Sequence, residues 1–249
     1  DVYKRQEIRS AEHLWGLDTF EVRKKLEREL GDPETKIVTI GVAGEKLVRY
    51  AAIIHRSGHA AGQGGFGAVM GSKNLKAIAV RGTKREIKVA DPEKLLELAE
   101  KIKEIATLQG VATNRSPLYP AYMKVGTPCY SEFIPLIEKY KVRNTGCEGC
   151  PRGCYVFLDI PDMGGGEMTC VQFYYGWLQH SIGEADETMF LAKQLADKYG
   201  IDVYELLQLI PFLRVLADRE VISEEESGIP FSDFPERSFI ETLLHKIAY

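Results

Sequence analysis

Three of the chain's five cysteines fall within eight positions, Cys147-Glu148-Gly149-Cys150-Pro151-Arg152-Gly153-Cys154, a C-x2-C-x3-C run. Any fold for this segment has to bring three sulfurs to one point, and Gly149 and Gly153 free the backbone to turn around them. Thiolates suit iron–sulfur clusters and zinc. A structural zinc site wants a fourth Cys or His nearby, and the next histidine is His180. Unligated thiols fit poorly in so polar a loop, where they would be open to oxidation. The spacing therefore favours Cys147, Cys150 and Cys154 as ligands of a [4Fe–4S] cluster, which ordinarily takes four ligands. The fourth is Cys129, Cys170 or a residue beyond Tyr249. Taken singly, Cys129 and Cys170 read first as small apolar core residues.

The rest of the composition narrows the class. A chain of 249 residues holds one or two domains. A net charge of −4 argues against a dedicated nucleic-acid binder. No apolar run approaches the ~18–20 residues that span a bilayer. The opening Asp1-Val2-Tyr3-Lys4-Arg5-Gln6 has no apolar core of a secretory signal. Together these point to a cytoplasmic protein with no membrane span. Neither end reads as a domain boundary. The chain enters a helix, Glu12 to Leu30, without an opening strand or cap, and stops inside an apolar-periodic stretch that begins near Phe239, so truncation at both ends is expected.

The pattern along the chain is α+β. Residues 1–88 read as β-rich, with Lys36 to Ile40 and Lys76 to Val80 as strands ended by Gly41 and Gly82. Residues 89–249 read as mainly helical and carry the cysteine loop. Asp91-Pro92-Glu93 is a strong helix start, followed by Leu95, Leu98, Ile102 and Ile105 at helical spacing. Glu187 to Tyr199 is a second helix with Gly200 as its stop. Val203 to Leu216 is a third, in which Pro211 predicts a kink or break near Ile210.

Between the two strands lies Gly58-His59-Ala60-Ala61-Gly62-Gln63-Gly64-Gly65-Phe66-Gly67, five glycines in ten residues. Alone it says only that backbone approaches something closely; it has neither Walker A order nor a true dinucleotide fingerprint. The longer string changes this. Gly44-Glu45-Lys46-Leu47-Val48-Arg49-Tyr50-Ala51-Ala52-Ile53, then His59 through Gly71-Ser72-Lys73-Asn74-Leu75-Lys76-Ala77-Ile78, closely resembles the tungsten-pterin aldehyde:ferredoxin oxidoreductase family. The cysteine run resembles that family's cluster loop. Asp197-Lys198-Tyr199-Gly200-Ile201-Asp202 is similar to its D-x-x-G-L-D pterin motif, with Ile201 for Leu.

The resemblance implies the end of a β-rich pterin-cradling domain followed by a helical domain. It implies a tungsten (or molybdenum) bis-pterin, a [4Fe–4S] cluster, and a magnesium ion bridging the pterin phosphates, held in part by a carbonyl at Ala60–Ala61. Gly62, Gly64, Gly65, Gly67 and Lys73 would surround phosphate, and Asp197, Gly200 and Asp202 would meet the pterin. Asp197 and Asp202 flank a helix C-terminus, where the dipole disfavours carboxylates, which suits acceptors for a heterocycle's N–H groups. The implied activity is oxidation of an aldehyde or oxo substrate, with electrons passed to ferredoxin; a homo-oligomer or electron-transfer subunits are implied partners. Departures bear on the substrate. His59 and Gln63 stand where the family usually has Arg. Thr169 replaces the second of two acids, leaving Glu167 as the candidate acid–base residue, although it also reads as a surface glutamate. Leu191 removes an implied interface iron. A benzoyl-coenzyme A reductase-type subunit acting on an acyl thioester, or a cluster-bearing module with no substrate, stays open.

Overall fold

The computed structural model describes residues 6–56, 59–83, 88–108, 133–146 and 155–249. The chain divides into two compact units, Asp1–Thr83 with Leu191–Tyr249, and Lys84–Phe190. Helices and sheets are mixed in it, the α+β class read from the sequence.

The first unit opens with a short 3-10 turn, Glu12–Leu14, and α1, Thr19–Leu30. The expected helix over Glu12 to Leu30 is thus two pieces. Gly16 has φ +82°, which breaks the first piece. Asp18 starts the second: its Oδ1 accepts from Phe20 N and Glu21 N, both at 2.8 Å, while Glu21 Oε2 accepts from Asp18 N at 3.1 Å. This is a capping box, written in the sequence as Asp18-x-x-Glu21. β1, Lys36–Ile40, is the centre of an antiparallel sheet in the order β3-β2-β1-β4. Its partners are β2, Ile53–Arg56, and β4, Ala77–Val80; β3, His59–Ala61, forms the edge beyond β2. Two short helices fill the connections, α2, Val42–Glu45, and α3, Phe66–Ser72.

In the second unit, α4, Pro92–Leu108, begins as predicted, with Asp91 Oδ1 accepting from Lys94 N at 2.9 Å. α5, Ile134–Tyr140, leads into β5, Lys141–Thr145. β6, Tyr155–Ile160, and β7, Gly164–Met168, complete an antiparallel meander that the helical reading passed over. Its core face is Val156, Leu158 and Ile160, each at most 3% exposed, at strict period two. A 3-10 turn, Cys170–Phe173, and α6, Tyr174–His180, follow.

α7, Thr188–Tyr199, returns the chain to the first unit. α8, Val203–Asp218, runs through Pro211 without a break. The ring costs one N–H bond, and burial of Val203, Leu206 and Ile210 on one face outweighs it, since each such side chain is worth about 1.5–3 kcal/mol. After the single turn α9, Glu224–Ser227, α10, Arg237–Ala248, buries Phe239, Ile240, Leu243 and Leu244. Among the described residues no helix is long and apolar enough to cross a membrane.

One charge is buried where the sheet meets the chain's start. The side chain of Lys76, directly before β4, is 0% exposed and pairs with Glu45 of α2, itself 3% exposed. Its Nζ also donates to Leu17 O at 2.9 Å, and Gly16 N donates to both Glu45 oxygens at 3.0 Å. Burial lowers the lysine's pKa below the ordinary value, with the Glu45 contact acting in the opposite sense. Removing one member of such a pair strands the other. Lys76→Met is therefore expected to destabilise the protein by about 3–5 kcal/mol, and adding Glu45→Gln to recover most of it. Urea unfolding of the three proteins measures this; a single variant as stable as the wild type would contradict it.

Candidate functional site

The glycine string divides into two halves. Ala60 and Ala61 lie on the edge strand β3, opposite Ile54 and Ile53, and are exposed; Gly62 is half-buried, and Gln63 and Gly64 are exposed. From Gly65 the chain turns inward. Gly65 has φ +69°, and a methyl placed on it would lie 2.1 Å from Arg49 O. On Gly67 a methyl would be 2.7 Å from Ala52 O, and Gly67 N donates to Ala51 O at 2.9 Å. On Gly71 it would be 1.9 Å from Gly44 O. The second half of the string thus serves backbone-to-backbone packing, while the first half faces outward. Lys73 is exposed at the far end of α3, about 12 Å along the helix from Gly65 at ~1.5 Å rise per residue. The buried cation of this segment is Lys76, which the sequence reading took only as part of a strand.

The Asp197–Asp202 segment reaches the same place from the other end of the chain. α7 closes in a Schellman motif: Gly200, at φ +74°, donates to Asp197 O at 3.2 Å, and Ile201 N donates to Ala196 O at 2.8 Å. The segment then pairs with residues 50–52 through Ala52 N to Gly200 O at 2.7 Å and Asp202 N to Tyr50 O at 3.0 Å. A methyl on Gly41 would sit 2.2 Å from Tyr199 O, so only glycine lets this turn settle there. Gly62 faces Asp202 directly, an added methyl falling 2.7 Å from Oδ1. The structure therefore brings Gly62, Gly200 and Asp202 together, close to the strand that carries Ala60 and Ala61.

The two aspartates differ in setting. Asp197, in the last turn of α7, is 2% exposed, and its Oδ2 lies 2.9 Å from Lys193 Nζ, whose side chain is 0% exposed. Asp202 is not at that C-terminus but is the N-cap of α8, where the dipole favours an anion. Its Oδ1 accepts from Tyr204 N at 3.2 Å. Its Oδ2 is buried with no hydrogen-bond partner among the described residues. Burial raises the carboxyl's pKa, the Tyr204 N–H lowers it, and Glu205 adds repulsion. A buried acceptor without a donor costs about 1–3 kcal/mol. A ligand that presents an N–H group across the bare face of Gly62 would remove that cost. Lys193 escaped the sequence reading, although Lys193 and Asp197 stand four apart on a predicted helix.

In the second unit, Glu167 lies on β7, opposite Phe157, and is 7% exposed, so it is a buried glutamate and not a surface one. Thr169 opens the next turn: Gln172 N donates to Thr169 O at 2.7 Å and Gln172 Oε1 accepts from Thr169 N at 2.9 Å. Leu191 is buried. Cys147, Cys150, Cys154 and Cys129 lie outside the described residues. The run does fall between Thr145 and Tyr155, which are paired across the β5–β6 ladder. Among the described residues no three His, Cys, Asp or Glu side chains gather into a metal site.

Because burial raises the folded-state pKa of Asp202, its carboxyl contributes stability that is fully present below its unfolded value and lost as pH rises through the folded one. Asp202→Asn keeps a capping oxygen and no charge. The cofactor-free variant should melt at or above the wild-type temperature at neutral pH, with the gap closing as pH falls into the carboxylate range. A gap of constant size in melts across that range would contradict the assignment.

Comparison with known proteins gives the family. Residues 3–82 match the model of the aldehyde ferredoxin oxidoreductase N-terminal domain, and residues 119–249 that of domains 2 and 3 of the same family. A tungsten-containing aldehyde ferredoxin oxidoreductase of Pyrococcus abyssi is 35% identical, over 97% of this chain and 43% of its own length. The WOR-like subunit of an aliphatic sulfonate oxidoreductase of Pyrococcus furiosus is 29% identical, over 97% and 44%. Among solved structures, the active-site complex BamBC of benzoyl coenzyme A reductase with 1,5-dienoyl-CoA superposes with a TM-score of 0.73 at 25% identity, over 97% of this chain and 41% of that one. The chain thus spans about two-fifths of the length of these relatives. With both family models matched in order along it, the chain belongs to the aldehyde ferredoxin oxidoreductase family.

Proposed function

We propose that the chain is part of the catalytic subunit of a tungsten (or molybdenum) bis-pterin oxidoreductase, cytoplasmic, which oxidises an aldehyde or oxo substrate and delivers electrons to ferredoxin. The observation that carries this is the buried Oδ2 of Asp202, unpartnered among the described residues, beside the bare backbone of Gly62, in a chain with tungsten-enzyme relatives. When bound, the metal–pterin would take two electrons from substrate, and a [4Fe–4S] cluster would relay them singly. The chain's own residues have simpler tasks. Asp202 would accept an N–H from the pterin, Gly62 would keep a side chain out of its way, and Gly200, whose bare side faces the Gly41 backbone, would seat the turn that leads to Asp202. Gly64 leaves the exposed turn bare for phosphate, and Gly65 and Gly67 anchor that turn. Ala60 and Ala61 fit a magnesium contact because an edge strand turns some carbonyls away from its neighbour. Lys73 would supply distant positive charge. Cys147, Cys150 and Cys154 would hold the cluster, and Glu167, as a buried carboxyl, would hold or move a proton.

A second reading, reduction of an aromatic acyl thioester with the help of electron-transfer subunits, is favoured by two observations. The benzoyl coenzyme A reductase complex shares the fold, and Thr169, which stands where a second acid would serve aldehyde chemistry, is engaged in capping a turn.

Metal analysis of the full-length protein tests the proposal. About one tungsten or molybdenum per chain with pterin is expected, and iron alone would overturn it. Gly62→Ala should lower pterin content by more than any change in the melting temperature of the stripped protein accounts for, since its methyl would fall 2.7 Å from Asp202 Oδ1. Cys150→Ser should remove the thiolate-to-iron absorption; zinc in place of iron would refute the cluster. Activity with aldehydes against acyl thioesters separates the two readings.

A further inference from the structure

We infer that the hydroxyl of Thr145 donates a hydrogen bond to a sulfur of the iron–sulfur cluster and raises its reduction potential; the inference rests on the cysteine ligation proposed above. Thr145 closes β5 and is paired across the ladder with Tyr155. Its Oγ1 is buried and has no hydrogen-bond partner among the described residues. A buried hydroxyl left unmet is costly. Valine has nearly the same shape and suits a strand as well, so stability alone does not call for a hydroxyl here. The apolar core of the meander does not account for the burial either. Asn144 stands opposite Val156, so strand alternation places Thr145 on the face away from Val156, Leu158 and Ile160. A hydrogen-bond acceptor on that side would remove the cost.

Chain length confines what that acceptor can be. Cys147 is two residues from Thr145, so their Cα atoms are at most about 7 Å apart. Cys154 adjoins Tyr155, whose Cα an antiparallel ladder holds about 4.5–5.5 Å from that of Thr145, so the Cα of Cys154 is within about 9 Å. Both limits hold for any path of the run between them. A cluster ligated at both ends of the run is therefore brought near the end of the ladder that carries the unmet hydroxyl. Its sulfurs are anionic acceptors, and a hydroxyl has one proton to share. Reduction adds one negative charge to the cluster, so the donor stabilises the reduced state more than the oxidised one and the potential rises. Thr145 thus sets the driving force of the relay and does not hold the metal.

The test uses the full-length holoenzyme, titrated with reductant while the paramagnetic resonance signal of the reduced cluster is followed. Iron per chain and the melting temperature of the metal-free protein are read alongside. Thr145→Val should lower the potential by the equivalent of about ten-fold in the one-electron equilibrium, or about 59 mV, with iron content unchanged. Thr145→Ser, which keeps the hydroxyl, should titrate as the wild type does. The metal-free Thr145→Val protein should melt no lower than the wild type, because it loses an unmet polar group; a lower melting temperature would mean that the hydroxyl serves the fold, and overturns the inference. Should Thr145→Val fail to retain iron, Thr145→Ala read against Thr145→Ser decides in the same way. A wild-type potential in the variant without the hydroxyl, or an equal shift in Thr145→Ser, also overturns it. A wild-type protein that carries zinc, or no iron, instead refutes the proposed cluster, which keeps the two failures apart.

Discussion

The first unit depends on backbone meeting backbone with nothing between. Gly44 faces Gly71 and Gly41 faces the Tyr199 carbonyl at distances no side chain could share. These contacts set α2 against α3 and seat the end of α7 beside β1. A single methyl at Gly71 would fall 1.9 Å from a carbonyl oxygen, and neither partner is the flexible end of a side chain that could give way. The main-chain bonds between residues 50–52 and 200–202 follow from that seating. Two stretches about 150 positions apart in sequence therefore share one small surface, and the candidate site is what remains open on it.

How that surface handles charge explains its character. Two buried lysines each have a buried acid: Lys76 with Glu45, Lys193 with Asp197. Asp202 has the N-terminus of α8 and the Tyr204 N–H. Among the described residues, Asp202 Oδ2 is a buried carboxylate oxygen left without a hydrogen-bond partner, beside the bare backbone of Gly62. Perturbed, incompletely satisfied acids of this kind cluster where ligands bind.

Much of this was legible in the sequence, and the parts that were not have physical reasons. The strand at Lys36–Ile40, the cap at Asp91 and the stop at Gly200 were local, carried by a few adjacent residues. Residues with one long-range partner were harder. Nothing near Lys76 marks it as buried, because Glu45 is 31 positions away. The glycine string looked uniform, yet only tertiary contact decides that Gly65, Gly67 and Gly71 pack inward while Gly62 and Gly64 do not. Asp202 was assigned to the end of one helix when it begins the next, a confusion natural where two helices are separated by so few residues. The β5–β6–β7 meander was missed although Tyr155-Val156-Phe157-Leu158-Asp159-Ile160 alternates cleanly, since the neighbouring helical periods drew the reading.

That meander gives the cysteine run a frame. In an antiparallel ladder, Thr145 and Tyr155 are held opposite one another, so the nine residues between them leave and return at one edge. The two ends of that run are thereby fixed by the sheet. Val156, Leu158 and Ile160 anchor the returning strand in the core, and Gly164–Met168 backs it on the far side. Glu167 belongs to that backing strand, so a buried acid and the two ends of the cysteine run share one antiparallel ladder.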